Sequence, residues 1–173
     1  MICTVQPILL ASLLLGLSVP AQAQNQEVVP QVLESSILKA KRLHQDDYDQ
    51  LKKLPDLAPE HYLKARVQKP TAARALKRLN LHEGVLIEAV LRPSLNLIAA
   101  QVFPEGMSND QQNYWENQSL MALQLGAASA LASQGGALAE ALMSYALHSD
   151  TYRSIQPTLC VLYGQVARHS QGL

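Results

Sequence analysis

Across Asn117–Leu147 the only charged side chain is Glu140, and almost everything else is Leu, Ala, Met, Gly, Ser or Gln. A stretch of this composition has to be covered by the rest of the chain. Read as helix, Leu120, Leu123, Ala127 and Leu131 recur at steps of three and four, while Met121, Leu125, Ala128 and Ala132 fill the neighbouring face. Gln118, Gln124, Ser133, Gln134 and Glu140 interrupt the run too often for a lipid-facing span, so a transmembrane segment is not expected here. Gly135-Gly136 should break the helix, and Ala137–Leu147 then forms a second one with Leu138, Leu142 and Tyr145 on one stripe. The expectation is an antiparallel central pair, Ser119–Ala132 and Ala137–Leu147, whose small residues let the two axes approach closely.

The remainder of the chain supplies elements to cover that pair. Val29, Leu33, Ile37, Ala40, His44, Tyr48 and Leu51 recur at steps of three and four, which predicts one amphipathic helix ended by Pro55-Asp56-Leu57-Ala58-Pro59. Pro59 suits the first position of a short helix over Glu60–Gln68, which Pro70 stops. Thr71 reads as an N-cap for a helix with Ala72, Ala75, Leu76 and Leu79 on one side and Arg74, Lys77 and Arg78 on the other. Val85–Leu91 and Leu95–Phe103 read as two helices, or one kinked at Pro93, rather than a hairpin, because neither half alternates polar with apolar. Ser108 and Gln111 have capping-box spacing ahead of the central helix. Pro157 starts or kinks a last helix with Leu159, Leu162, Tyr163 and Val166 buried, and Cys160 beside them is expected to be buried as a small apolar residue.

These elements predict an all-α protein with a single helical domain of about six helices. The expected core is Leu33, Ile37, Leu51, Leu76, Leu91, Ile98, Leu120, Leu123, Leu131, Leu138, Leu142, Leu159 and Leu162. Met1–Ala23 carries no charged side chain, contains the apolar run Ile8–Leu17 and ends in Val19-Pro20-Ala21-Gln22-Ala23. That pattern predicts a signal peptide over residues 1–23, a mature domain over 24–173 and a periplasmic or secreted location. Cleavage at Ala23 would leave Cys160 as the single cysteine, so stability has to come from packing rather than from a disulfide.

Charge is unevenly laid out. Gln24–Arg92 holds 12 Lys and Arg against 9 Asp and Glu, whereas Pro93–Leu173 holds 2 against 5. The first half therefore reads as a solvated layer and the second as the packed centre. Lys64–Arg78 contains Lys64, Arg66, Lys69, Arg74, Lys77 and Arg78 and no acid, which makes Lys69, Arg74, Lys77 and Arg78 the candidate binding residues. No aromatic platform is interleaved among them, which speaks against nucleic acid.

Motifs for chemistry are sparse. Ser36-Ile37-Leu38-Lys39 and Ser94-Leu95-Asn96 match S-x-x-K and S-x-N, but the third element of serine penicillin-binding enzymes does not follow them. The histidines at 44, 61, 82, 148 and 169 show no metal-ligand spacing. No cofactor or metal is implied. Glu140, near Tyr145 or His148, is the natural seed if the protein is instead a small periplasmic enzyme with a buried polar site.

Two segments resemble HEAT-type helical repeats. One runs from Ala72-Ala73-Arg74-Ala75-Leu76-Lys77-Arg78-Leu79 through a turn to Leu91, the other from Ala137-Leu138-Ala139-Glu140-Ala141-Leu142 to Leu162-Tyr163-Gly164. In the second, Asp150 and Arg153 resemble part of the Asp/Arg ladder of such repeats, which the first lacks. The resemblance implies stacked helix pairs with a protein-binding concave face. The architecture expected is thus a bundle or short HEAT-like array around the Ala/Leu-rich pair. The expected function is that of an exported, non-catalytic module of the bacterial cell envelope that binds an as yet unidentified envelope protein.

Overall fold

A computed structural model describes residues 28–54, 70–99 and 103–170. The expected signal peptide, the expected helix over 60–68 and Lys69 lie outside these residues. Among the described residues the chain is all-helical: α1 (Gln31–Leu43), α2 (Gln45–Lys52), α3 (Pro70–Leu79), α4 (Glu83–Leu91), a 3-10 turn (Leu95–Leu97), α5 (Asn109–Gln134), α6 (Ala137–His148), a 3-10 helix (Asp150–Ile155) and α7 (Gln156–Ser170).

The N-terminal stripe is buried as its periodicity requires, with Leu33, Ile37, Ala40, Tyr48 and Leu51 all inside. The single helix expected there is two helices, however. His44 takes φ −128° and ψ 45°, outside helical space, and its N–H bonds Ala40 O at 2.8 Å. The break re-aims the chain while keeping the stripe in register. Next, α3 begins at Pro70 rather than after a Thr71 cap, in keeping with the preference of proline for a first turn where its missing N–H costs nothing. It ends before Asn80, whose φ of 50° is the left-handed conformation that closes helices.

Among the described residues the deepest element is α4, in which every residue from Gly84 to Leu91 is buried. Nine residues rich in Val and Ile do not hold a helix in water, so tertiary packing holds this one. Each fully buried Val, Leu or Ile contributes about 1.5–3 kcal/mol to that packing. The end groups of a buried helix must also be satisfied. His82 caps the start, its Nδ1 accepting from Gly84 N at 3.1 Å. At the other end Gln124 Nε2 donates to Val90 O at 2.8 Å and Tyr152 Oη donates to Leu91 O at 3.2 Å. The centre of the fold therefore lies in the charged half of the sequence, not in the second half alone.

Helix α5 opens on Ser108, whose Oγ accepts from Gln111 N while Gln111 Oε1 accepts from Ser108 N, so the capping box forms. Its 26 residues run roughly 39 Å and meet α3, α4, α6 and α7. The expected close pairing with α6 is not what forms. Helix α5 packs mainly along α3 and α4, and next against α7, whereas α6 lies along α7 and meets α5 over only a short contact. Gly135 and Gly136, at φ 72° and 90°, turn the chain sharply enough to send α6 to that separate neighbour.

Glycines mark two close helix crossings. A Cβ on Gly84 would sit 2.3 Å from the carbonyl oxygen of Ser36, so α1 passes directly over α4 at this point. A Cβ on Gly126 would fall 2.7 Å from Leu76 Cδ1, where α3 crosses α5.

Three further expectations change. Leu95–Phe103 is not a second helix; Leu95–Leu97 forms one 3-10 turn, Ile98 is already extended, and residues 100–102 lie outside the described set. Of the expected core, Leu120 and Leu138 are half-buried because they lie at the margin of their helices' covered faces, and the other members are buried. Cys160 is exposed: Leu159, Leu162 and Val166 form the inner stripe of α7, and position 160 points between them to solvent. Among the described residues no helix is long and apolar enough to cross a membrane.

Candidate functional site

Helix α3 divides sharply into two faces. Ala72 and Leu76 are buried against α5, and Arg74, Lys77 and Arg78 are exposed on the other side. Lys77 and Arg78 also occupy the last turn, where cations are favoured by the helix dipole. None of the three pairs with an acid among the described residues. The structure thus brings Arg74, Lys77 and Arg78 together as one cationic surface on a rigidly packed helix, and Lys69 lies outside the described residues.

A second polar site has its floor inside the core. Glu88, in the middle of α4, is 7% exposed. Its Oε2 accepts from Tyr48 Oη at 2.6 Å, and its Oε1 lies 2.7 Å from Lys41 Nζ. A carboxylate in such a place needs partners, since burying an unpaired charge costs several kcal/mol or more. Here α1 supplies an ammonium and α2 a phenol. Burial, with the hydrogen bond to Glu88 and the charge of Glu88 added, pushes the Tyr48 phenol well above its ordinary pKa, so it remains a proton donor.

Above this floor opens a cleft of about 390 Å³. Gln45 and Lys52 of α2 and Asn96 of the 3-10 turn form its walls, and Leu97 supplies an apolar patch. Ser94 caps the turn by accepting from Asn96 N at 3.2 Å, which fixes the position of Asn96.

Beside the cleft, His44 and His82 stack with ring centroids 3.9 Å apart. Asp47 Oδ2 accepts from His82 N at 2.7 Å, tying α2 to the start of α4. Burial first, then the neighbouring His44, lowers the pKa of His82; Lys39 acts in the same direction, and Glu83 and Asp47 oppose it. Among the described residues no group of three or more His, Cys, Asp or Glu is placed to hold a metal ion.

The other sequence candidate is corrected. Glu140 is exposed and its side chain bonds none of the described residues, because it lies on the outer side of α6, away from Ala139, Leu142 and Met143. Tyr145 instead lies edge-on to Tyr152 at 6.1 Å, and His148 Nδ1 lies 2.7 Å from Ser144 O. The buried carboxylate among the described residues is Glu88. It carried the same signal as Glu140, a lone acid in an apolar run, within Gly84-Val85-Leu86-Ile87-Glu88-Ala89-Val90-Leu91. Its partner Tyr48 lies 40 residues away and had no local signal beyond its place on the buried stripe.

Compared with protein families, with curated proteins and with solved structures, the chain finds no match.

Proposed function

We propose that the protein is an exported, non-catalytic binding module of a bacterial cell envelope that holds an acidic partner protein through the outer face of α3. The observation that carries this reading is the set Arg74, Lys77 and Arg78, three exposed cations without an acidic neighbour among the described residues, on a helix whose inner face is locked into the core. Guanidinium and ammonium groups so held can meet carboxylates at little ordering cost. Elsewhere on the surface, the outer side of α1 carries Leu38 and Leu43 beside Lys39 and Arg42, around a groove of about 370 Å³. Exposed apolar side chains among cations suit an acidic protein surface better than a nucleic acid. Export is supported by the uncharged, apolar composition of Met1–Ala23.

Affinity capture from envelope extract tests the reading, with wild type compared to Arg74→Glu/Lys77→Glu/Arg78→Glu. The variant should keep its helical content and lose a partner that wild type retains at physiological salt. An identical set of captured proteins would reject this face. The export part is checked by mass spectrometry of the mature protein, where an intact Met1 would count against it.

A second reading, a small periplasmic helical enzyme, draws on Glu88 rather than Glu140. The specific observation in its favour is a buried carboxylate bonded to a phenol and an ammonium at the floor of a cleft. Full retention of the cellular phenotype by Glu88→Gln would remove it.

A further inference from the structure

The clamp between Glu88, Tyr48 and Lys41 accounts for the floor of the cleft but not for its walls. Gln45, Lys52 and Asn96 are exposed and their side chains bond none of the described residues, yet all three face the same 390 Å³ space. We propose that this cleft is a binding site for a small organic anion carrying a carboxylate or phosphate group.

Charge and hydrogen-bond capacity both select an anion. Among the described lining residues, Lys41 and Lys52 set two positive charges against the single carboxylate of Glu88, an excess of one. Both oxygens of Glu88 are already engaged, and the phenol proton of Tyr48 is spent on one of them. The capacity that remains is dominated by donors: the three N–H groups of Lys52, the N–H groups of Lys41 not aimed at Glu88, and the side-chain amides of Gln45 and Asn96. A cation entering here would meet two ammonium groups, whereas a carboxylate or phosphate would meet donors on two walls and a charge it complements. Leu97, buried to 8% exposure at one side, gives an organic body something apolar to lie against. The volume falls at the lower end of the range of about 300–1,000 Å³ typical of small-molecule sites, which fits a metabolite-sized ligand rather than a polymer.

The site is also pre-formed. Lys41 is held by Glu88, Asn96 by the Ser94-capped turn, and α2 by the Tyr48 bond, so binding orders chiefly Lys52 and Gln45. This site is separate from the basic face of α3, and either assignment stands if the other fails.

The test is a titration of the full chain lacking residues 1–23, followed by amide shifts in two-dimensional NMR, with four probes: inorganic phosphate, phenyl phosphate, succinate and benzoate. Saturable shifts of the Lys52, Asn96 and Leu97 amides are expected for the phosphate pair or the carboxylate pair, and the pair that binds identifies the anion. Lys52→Gln should weaken that binding at least tenfold with an unchanged unfolding midpoint, since the Lys52 side chain bonds none of the described residues. Asn96→Asp, which places a negative charge on the other wall, should weaken it similarly and keeps the test decisive if Lys52→Gln is poorly folded. Absence of saturable shifts with all four probes overturns the proposal. So does binding that both substitutions leave intact, or that Arg74→Glu/Lys77→Glu/Arg78→Glu weakens just as much.

Discussion

The phenolic oxygen of Tyr48 donates its proton to Glu88 Oε2 across 2.6 Å, joining α2 to the most deeply buried helix among the described residues. With Lys41 on the other carboxylate oxygen, three helices meet at one charged side chain. Removing a partner from such a group is costlier than never having had the group, because the charge stays buried.

Tyr48→Phe should therefore destabilise the protein by about 1.5–3 kcal/mol, the usual worth of a hydrogen bond to a charged group. Glu88→Gln keeps an acceptor for the phenol and should cost less than Glu88→Ala. Urea unfolding of the three variants checks the order, and a Tyr48→Phe midpoint equal to that of wild type would show that the bond contributes nothing.

Gly84→Ala and Gly126→Ala should differ. At Gly84 the added methyl meets the Ser36 carbonyl, which belongs to the α1 backbone and moves only if the helix moves. At Gly126 it meets the end of the Leu76 side chain, which can change rotamer. Overpacking costs about 1–3 kcal/mol and occasionally more, so Gly84→Ala belongs at or above the top of that range and Gly126→Ala near the bottom. Equal thermal midpoints for the two variants would contradict the crossing geometry.

Acid should weaken the joint between α2 and α4. The pKa of His82 is lowered in the folded protein from its ordinary 6.5, so between the folded and unfolded values the unfolded chain binds more protons. Stability from this group is complete above the unfolded value and is lost as pH falls through 6.5 toward the folded value. Protonation at Nδ1 would also remove the cap to Gly84 N. His82→Asn, which keeps a capping oxygen, should flatten the pH dependence of the unfolding midpoint between about pH 7 and pH 5. An unchanged slope in that variant would assign the acid sensitivity to other groups.

Cys160 should react with a maleimide or an aromatic disulfide reagent in the native state without loss of helical signal, because it is exposed on α7. Protection of the thiol until denaturant is added would show that α7 is rotated from its assigned position.

Two leucines on α5 offer a control for the core. Leu123 is fully buried and Leu120, three residues earlier, is half-buried. Leu123→Ala should cost about 2–5 kcal/mol and Leu120→Ala distinctly less, as judged by denaturant midpoints.

The sequence by itself determined the helical class and the inward faces. The stripe from Leu33 to Leu51, the Ser108–Gln111 box and the Gly135-Gly136 break all stand where spacing and local chemistry put them, because a helix's buried side and its ends depend on residues within a turn or two. The partly legible cases lie where two local rules compete. The stripe runs unbroken through His44 while the backbone breaks there, and the apolar spacing of Leu95–Phe103 carries a helical signal that the turn after Pro93 reduces to three residues. Tertiary structure alone decided which helix became the centre, which lone acid was buried and what surrounded it. Glu88 and Glu140 look alike in the chain, but α1 and α2 supply partners to the first, which is buried, and the second stays exposed. Burial and pairing of α4 depend on elements 35 to 61 residues away, such as those bearing Asp47, Tyr48 and Tyr152, and a periodicity of three to four residues carries no information about them.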